Sequence, residues 1–277
     1  MHGDAESIES APAEAYTHGH HESVLRVHSW RTVENSAAYL APHLEAGARI
    51  LDVGSGPGTI TIDLARRVRP GRVVGVDAAA DVVERANGLA ESERVDNVEF
   101  RVGDAYALEF ADASFDVVHA HQVLQHLARP VDALHEFRRV LKPGGLLAVR
   151  DVDYGGVIWS PASAGLDRWL ELYHQVAVGN GGEPDAGRYL KRWVREAGFA
   201  EIEATATNWV FSTELEREWW GTSWAERATQ SQFAAHAIES GHSNPGELAR
   251  IATAWREWAA DADGWLLMPH AEVLARA

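Results

Sequence analysis

Acidic residues at the ends of short apolar runs are the first candidates for chemistry in this chain. Asp52, Asp77 and Asp104 each lie at or next to the end of such a run. A carboxylate in this position can accept hydrogen bonds from both hydroxyls of a ribose, or from the edge of an adenine. A single aspartate there is often only a turn former. Three aspartates at the ends of three separate apolar runs predict a site for a nucleoside.

A glycine-rich loop, Gly54-Ser55-Gly56-Pro57-Gly58, follows the first of these runs. Loops that bind the pyrophosphate of a dinucleotide have the pattern G-x-G-x-x-G, in which the third glycine lets the next helix pack closely. Here that glycine comes one position early and Thr59 takes its place, where we expect it to cap the next helix. The ligand therefore does not have to carry a phosphate. Asp77 lies twenty-three residues beyond Gly54, a spacing typical of a ribose-binding carboxylate.

Histidines are the best candidates for a general base, because an imidazole changes protonation state near neutral pH. His121 and His126 follow the fourth apolar run, and His28 precedes the glycine loop in a segment with helical spacing. Each is a catalytic candidate, and each could instead hydrogen-bond a neighbouring loop. More histidines occur within residues 17–21, in a polar tail where we predict no metal site.

Apolar runs and helix-like spacing alternate between residues 45 and 154, and this alternation positions the candidates. Strands are predicted at 49–53, 72–76, 98–102, 115–120 and 146–149. Helices are predicted between them, including one at 81–89 and one that Pro130 opens. The alternation predicts right-handed βαβ units and a parallel sheet, whose ligands bind at the carboxyl ends of the strands.

The pattern changes after Tyr154. Helices are predicted at 166–178 and 186–197, and strands at 201–211 and 264–275. Tryptophans at largely helical spacing predict a helical insertion between those two strands. They either form the core of a cap or line a pocket for a flat ligand. We expect an N-terminal tail with lid helices (1–44), a ligand-binding core (45–154) and a completing region (155–277) with cap insertions near 155–185 and 214–262.

The composition excludes several classes of protein. The chain has no cysteines, which excludes disulfide frameworks, zinc–thiolate sites and thiol nucleophiles. Its formal net charge of −16 would repel a phosphate backbone, so neither nucleic acid nor an anionic membrane is expected as a partner. No apolar run of about eighteen residues occurs and the N-terminus is acidic, from which we expect a cytoplasmic protein.

Five segments together carry a resemblance to a known family. In chain order they are Ile50–Gly58, Val76-Asp77, Gly103-Asp104-Ala105, Phe115–Val118 and Leu141–Gly145. In their order and spacing, the chain resembles the class I methyltransferases that depend on S-adenosylmethionine (SAM), in particular the small-molecule branch that includes quinone-biosynthesis enzymes. The resemblance implies an α/β fold with a Rossmann-like, seven-stranded, mostly parallel sheet, helices on both faces, N-terminal helices and a helical cap.

The resemblance also implies which residues hold SAM as the cofactor. Gly54 and Gly56 would let the backbone approach its methionine part, Asp77 would hold the ribose, and Asp104 the adenine. Arg31, in a segment expected to close over the cofactor, would pair with its carboxylate. The full set implied to bind SAM is Arg31, Asp52, Gly54, Ser55, Gly56, Asp77, Ala78, Gly103, Asp104, Ala105 and Gln122.

The same motifs leave the methyl acceptor unidentified. Family members that methylate the amines of nucleobases carry Asn or Asp followed by Pro-Pro after the fourth strand, where this chain has His121-Gln122-Val123. We therefore expect transfer to an O, N or C atom of a small aromatic or quinone-like molecule, and no nucleic acid acceptor. Two alternatives stay open: an NAD-dependent or nucleotide-sugar oxidoreductase on a related fold, and a catalytically idle SAM-binding protein. The oligomeric state is also open, with a homodimer as one option.

Overall fold

A central β-sheet forms from the strands that the apolar runs predict. The computed structural model describes Thr17 and residues 30–277. Its strands are β1 (Arg49–Val53), β2 (Arg72–Asp77), β3 (Val98–Val102), β4 (Phe115–His121), β5 (Leu141–Val152), β6 (Ile158–Ser160), β7 (Ala200–Phe211) and β8 (Trp265–Arg276). The predicted strand ends agree to within one residue, except at β5, which was predicted only for 146–149.

Helices flank this sheet and form the cap. They are α1 (Val33–Ser36), α2 (Thr59–Arg67), α3 (Ala80–Ser92), α4 (Pro130–Val140), α5 (Ala164–Gly179), α6 (Ala186–Glu196), α7 (Glu214–Gln230), α8 (Gln232–Glu239) and α9 (Pro245–Ala260). Pro130 is the first residue of α4, as predicted, since its fixed φ and missing N–H are tolerated there. Residues 214–262, where a helical insertion was predicted, contain α7, α8 and α9.

The start of α2 differs from the prediction. Thr59 does not cap this helix; Gly58 is the N-cap residue, with φ +88°, and Thr59 is the first helical residue. A left-handed backbone favours glycine, which has no Cβ to clash. A Cβ at Gly58 would also lie 2.6 Å from Cζ of Phe100. The early glycine therefore serves both the turn and the packing of the loop against β3.

The order of the strands brings the candidate residues to one edge of the sheet. The order is β3-β2-β1-β4-β5-β8, and β7 pairs with β8. The strands β1 to β5 are parallel, whereas β8 runs antiparallel to both β5 and β7. Chain order reverses between β1 and β4. Ligands of open α/β sheets bind at such a switch point, at the carboxyl ends of the strands.

Within the described residues the sheet has eight strands, where seven were predicted. The additional strand, β6, pairs with the first residues of β8. β7 pairs with nearly the whole length of β8. β6 therefore lies on the side of β8 that is opposite to β7, in line with β5. The predicted Rossmann-like, mostly parallel sheet is therefore confirmed. Its strands occupy seven positions, because β5 and β6 share one of them. A run of three residues is too short to show the alternation by which a strand is recognised.

Apolar side chains cover both faces of the sheet. Ile50 and Leu51 of β1 are fully buried, in two different clusters, because successive side chains of a strand point to opposite faces. Ile50 packs in a cluster with Leu64 of α2, and Leu51 in a cluster with Phe137 of α4. This two-sided burial explains why the strands are continuous apolar runs.

A third cluster forms the interior of the cap. Trp169 of α5 meets Trp224 of α7 and Trp255 of α9 edge to face, with ring centroids 4.6 and 4.8 Å apart. All three rings are fully buried, and edge-to-face contact is a favoured arrangement for aromatic pairs. Trp258 is buried in the same cluster. Most tryptophans of the insertion therefore form the core of the cap, the first of the two predicted alternatives.

The segment before β1 packs against β7. One or two helices were predicted over residues 24–44, and the described part of that range contains α1 and a 3₁₀ turn. The indole N–H of Trp209 on β7 donates to the carbonyl of Asn35 over 2.7 Å. Trp30 packs edge to face on the same ring, with centroids 5.3 Å apart. These contacts hold the backbone on either side of Arg31 against the sheet.

Candidate active site

The glycine loop between β1 and α2 lies close to the segment that follows β4. The backbone N–H groups of Gly54 and Ser55 both donate to the carbonyl of Val76, over 2.7 and 3.0 Å. Gly54 has φ +68°, and a Cβ at this position would overlap the side chain of Val123. Glycine is therefore required for the loop to pass beneath the segment after β4.

Asp77 is fixed at the end of β2 by backbone donors. Its Oδ2 accepts from the N–H of Gly56 over 2.9 Å, and its Oδ1 accepts from the N–H of Ala79 over 3.1 Å. A carboxylate oxygen has more than one lone pair, so each oxygen can accept a further hydrogen bond. Asp104, after β3, is held in a similar way by the N–H of Tyr106. Both carboxylates are thus fixed in orientation without using up their capacity to accept.

Asp52 has a different environment. It is almost completely buried, and its two oxygens contact Thr61 of α2 and His119 of β4. The hydroxyl of Thr61 donates over 2.5 Å, and Nδ1 of His119 lies 2.7 Å from the other oxygen. These contacts join β1, α2 and β4 directly below the glycine loop. The carboxylate of Asp52 is therefore better placed to hold the loop than to hold a ligand.

One cavity of about 410 Å³ collects the predicted residues, a volume within the usual range of small-molecule sites. It is lined by every predicted site residue in the described part of the chain: Arg31, Asp52, Gly54, Ser55, Gly56, Asp77, Ala78, Gly103, Asp104, Ala105, His121, Gln122 and His126. His28, the remaining catalytic candidate, lies outside the described residues.

The cavity continues from these loops to the cap. Its far end is lined by aromatic and long side chains from the fifth strand onward: Tyr154, Trp209, Trp220, Arg227 and Met268. From the sequence, Tyr154 was expected either to orient a substrate or only to end the fifth strand, and Trp209, Arg227 and Met268 were given no role. The cavity therefore has a polar, glycine-lined half and an aromatic half.

His121 lies where the two halves meet. It is almost completely buried, and neither ring nitrogen has a hydrogen-bond partner within the described chain. Burial lowers the pKa of His121 well below 6.5, and the positive charges of Arg31 and Arg150 lower it further. The imidazole is therefore neutral near pH 7, with one nitrogen available to accept a proton or a hydrogen bond.

His126 is less well placed to act as a base. Its Nε2 lies 2.9 Å from Nε2 of Gln125, so the amide donates to the ring. Burial lowers the pKa of His126 to about 3. The lone pair that a base would use is thus already engaged. Of the two described catalytic candidates, the geometry favours His121.

Gln122 links the N-terminal segment to the last strand. Its Oε1 accepts from Arg31 over 2.5 Å, and its Nε2 lies 2.7 Å from Nε2 of His270. Nδ1 of His270 donates to the carbonyl of Met268, which makes Nε2 the acceptor for the Gln122 amide. Gln122 itself has φ +54°, a conformation that non-glycine residues rarely adopt and that is concentrated at functional sites.

The loop that carries these residues is held from below by Asp151. This carboxyl group is fully buried at the end of β5, and it accepts from the backbone N–H of Gln125 over 3.2 Å. Burial raises the pKa of Asp151 to about 8, against the opposing effect of the backbone hydrogen bonds and of Arg150. Asp151 thus positions the turn between His121 and His126.

Comparison with known proteins identifies the family. Residues 44–198, more than half of the chain, match the family model described as a methyltransferase domain. An uncharacterized methyltransferase of Schizosaccharomyces pombe is 32% identical over 94% of this chain and 95% of its own length. The chain belongs to the class I SAM-dependent methyltransferases. The predicted family is therefore confirmed, and the oxidoreductase alternative is not supported.

Two further relatives of this methyltransferase are informative. The ubiquinone/menaquinone biosynthesis C-methyltransferase UbiE of a Ruegeria species is 33% identical, over 54% of this chain and 58% of that enzyme. The crystal structure of the [4+2]-cyclase SpnF is similar over 96% of this chain and 87% of that one, with 25% identity and a TM-score of 0.54. The first agrees with the predicted quinone-biosynthesis branch.

The polar half of the cavity fits SAM. A hydroxyl, Oγ of Ser55, is buried at its wall and has no hydrogen-bond partner within the described chain. Buried polar groups are almost always paired, so this atom indicates a missing partner at the wall of the cavity. The fixed carboxylates of Asp77 and Asp104 match the hydroxyl and amino groups of an adenosine. Arg31 lies at the same cavity and suits a carboxylate.

Within residues 30–277 and Thr17, no group of three or more histidine and acidic side chains could hold a metal ion. In the same part of the chain, no helix is long and apolar enough to cross a membrane. We predict that the activity needs no metal, and this expectation and that of a cytoplasmic location remain predictions.

The sequence spacing of Arg227 could have identified it as a candidate site residue. It follows Trp220 by seven residues and Trp224 by three, so the three share one face of α7. Arg217 lies on this face as well, and buried arginines on a helix are uncommon because a buried charge needs compensation. Trp209 and Met268 left no comparable signal, because strand residues of these types are usually ordinary core residues.

Proposed function

We propose that this methyltransferase transfers the methyl group of SAM to a small, flat acceptor, an aromatic or quinone-like metabolite, held beneath the cap. The observation that carries the proposal is the continuity of one cavity, from the carboxylate of Asp77 to the ring of Trp220. A polar half that fits an adenosine and an aromatic half that fits a ring lie end to end. Methyl transfer requires donor and acceptor to meet in this way.

Each half has its own task. When bound, SAM supplies an electrophilic methyl group on a sulfonium centre. The chain has to align the acceptor with that group and exclude water, and such orientation contributes on the order of 7 to 11 kcal/mol to the barrier reduction. We assign Asp77, Asp104 and the glycine loop to SAM, Asp52 and Asp151 to positioning of the loops, and the cap to choice of acceptor.

His121 is the proposed acceptor-side base. Neutral and buried where the two halves meet, it can accept the proton of a hydroxyl or amine as the new bond forms. The tyrosine hydroxyl of Tyr154 stays protonated, because burial raises its pKa, and it can donate to the acceptor. His126 is proposed to support the loop through Gln125.

The role of Asp77 can be tested by binding. Replacing Asp77 by alanine removes the acceptor for two ribose hydroxyls and also for two backbone donors. We expect the loss to be about 1.5 to 3 kcal/mol, which weakens binding of S-adenosylhomocysteine more than about tenfold. Isothermal titration calorimetry measures this directly. Asp77→Asn, which keeps the shape of the side chain, should lie between wild type and Asp77→Ala.

A matched control for Asp77 is Asp263→Ala, at an exposed position that does not line the cavity. It should bind S-adenosylhomocysteine as wild type does. An unchanged dissociation constant for Asp77→Ala would remove Asp77 from the proposed site.

Trp220 and Trp219 are expected to differ, although they are neighbours. Trp220 lines the cavity and stacks on Phe211 at 4.2 Å, whereas Trp219 is not among the lining residues and packs on Trp30 at 5.3 Å. Trp220→Leu should lower kcat/KM for the acceptor about tenfold and leave SAM affinity within about threefold, because the lost ring contacts only the acceptor half. Steady-state kinetics and calorimetry measure the two quantities.

The control for Trp220 is Trp258→Leu, a buried cap residue that does not line the cavity. It should reduce stability with little change in acceptor KM. If Trp220→Leu remained folded and lost SAM binding and acceptor turnover in the same proportion, the proposed division between sheet and cap would be wrong.

The similarity to SpnF defines a second candidate. That protein is described as a [4+2]-cyclase, so this architecture also supports a reaction other than methyl transfer. Direct assay separates the two. Transfer of labelled methyl from SAM to a panel of phenols, quinols, amines and aromatic acids supports the proposal, whereas binding of SAM with no transfer to any of them favours a catalytically idle cofactor.

A further inference from the structure

The cap end of the cavity contains a buried cation. Arg227 of α7 lines the cavity and is only 4% exposed. Its guanidinium lies 5.1 Å from the centroid of the Trp224 ring, which holds the side chain by a cation–π contact. Trp220, seven residues or about two helical turns earlier, lines the same cavity. A guanidinium is thus presented to the aromatic half by a rigid helix.

Charge is divided unevenly along the cavity. Among the lining residues of the described chain, the carboxylates are Asp52, Asp77 and Asp104, all at the carboxyl ends of β1, β2 and β3. The guanidinium groups are Arg31 and Arg227. Both act on Tyr154: burial raises the pKa of its hydroxyl, and the two cations oppose that rise.

The described lining of the acceptor half favours a negatively charged ligand group. In the described part of the chain, the residues that line this half include the guanidinium of Arg227 and no carboxylate, and Arg31 and Arg227 both lower the pKa of Tyr154. A negatively charged group that enters this half is attracted to the guanidinium of Arg227, and also to the sulfonium when SAM is bound. A neutral ring gains neither interaction.

We infer that the acceptor carries a carboxylate on a flat ring and that Arg227 binds this carboxylate at the cap end of the cavity. The inference rests on the proposed function, which it makes more specific. A guanidinium matches a carboxylate through two parallel hydrogen bonds, a geometry that an ammonium group does not offer. Trp209 and Trp220 contact the ring, and His121 lies at the end nearer the methyl donor.

The test compares an acid with its neutral isostere. The probes are 3-hydroxy-2-naphthoate and its primary amide, which share one ring system and one hydroxyl. Their dissociation constants are measured by tryptophan fluorescence on the protein, with and without saturating S-adenosylhomocysteine. Wild type should bind the acid at least about tenfold more tightly than the amide. Arg227→Gln should reduce that preference to less than about threefold.

Two variants make the test specific. Arg256→Gln removes the same charge from an exposed position on α9 and should keep the wild-type preference. Arg227→Lys keeps the charge without the two parallel hydrogen bonds and should give an intermediate preference. Equal binding of acid and amide by wild type, or binding of neither, overturns the inference even if Arg227→Gln fails to fold. A folded Arg227→Gln that keeps the full preference overturns it as well.

Failure of the proposed function has a different signature. Calorimetry with S-adenosylhomocysteine alone reports on the SAM site, and its failure would contradict the methyl-transfer proposal. The dissociation constants of the acid and the amide, measured without S-adenosylhomocysteine, still decide whether Arg227 binds a carboxylate.

Discussion

Replacement of His121 by alanine is expected to lower kcat for methyl transfer by about 10²- to 10⁴-fold, the usual contribution of a positioned general base. The imidazole is neutral and buried at the junction of the two halves of the cavity, and neither nitrogen has a partner within the described chain. Its removal leaves the acceptor proton without the proposed base at a buried position. The measurement is steady-state transfer from SAM to the best acceptor of the panel.

His121→Gln separates a base from a packing role. Glutamine can accept a hydrogen bond but cannot take the proton, so it should restore little of the rate. His135→Ala, at an exposed position on α4, is the matched control and should have wild-type kinetics. A wild-type kcat in folded His121→Gln would contradict the assignment.

The pH profile adds a readout that packing would not change. Because the pKa of His121 lies well below 6.5, the ring stays neutral as the pH falls from about 8 to about 6.5. This group should therefore cause no loss of kcat/KM over that range, and activity should fall only at lower pH. A His121-dependent decrease centred near 6.5 would show an ordinary, solvent-exposed imidazole.

The second large effect concerns stability. Arg150 of β5 and Glu272 of β8 form an ion pair across adjacent strands, with Nε and Oε1 3.1 Å apart and side chains only 1% and 4% exposed. The hydroxyls of Thr205 and Thr207 also donate to Glu272. Burial lowers the pKa of Arg150 to about 10, and Glu272 opposes that shift. Glu272→Gln should reduce the free energy of unfolding by about 3 to 5 kcal/mol, because it leaves the buried guanidinium without its carboxylate.

Urea denaturation measures this loss, and two variants test its cause. The double variant Arg150→Met with Glu272→Leu should recover most of the stability, since it removes both charges together. Glu196→Gln breaks the exposed pair with Arg192 and should leave the free energy of unfolding nearly unchanged. A Glu272→Gln protein as stable as wild type would show that the pair contributes little.

The positions of the residues proposed to bind SAM could be predicted because they depend on strand ends. Asp77 and Asp104 follow apolar runs whose length defines where each strand stops, and parallel strands bring those ends together. The glycine loop was recognisable for the same reason. Its details were not, since the backbone of Gly58 and its contact with Phe100 depend on packing between distant segments.

Contacts between residues far apart in the chain could not be predicted. The partner of Asp52 is His119, sixty-seven residues later, and the partner of Gln122 is His270, 148 residues later. Nothing in local spacing distinguishes these pairs from ordinary strand residues. Asp52 was consequently expected to contact SAM, whereas its surroundings favour a positioning role.

The aromatic half of the cavity shows a third limit of prediction from sequence. Helical spacing located the cap, but it could not separate Trp220, which lines the cavity, from Trp224 and Trp255, which fill the core. The distinction depends on how α7 is rotated against the sheet, a property of tertiary packing. Arg227 is the exception, because an arginine at helical spacing from two tryptophans is visible in the sequence.

The most direct measurement of the central claim is a crystal structure of the protein with S-adenosylhomocysteine. We expect the ligand in the cavity described above, with its ribose hydroxyls within hydrogen-bond distance of Asp77, its adenine beside Asp104 and its sulfur directed toward His121 and Tyr154. S-adenosylhomocysteine bound elsewhere, or in this cavity with its sulfur directed away from the aromatic half, would contradict the account.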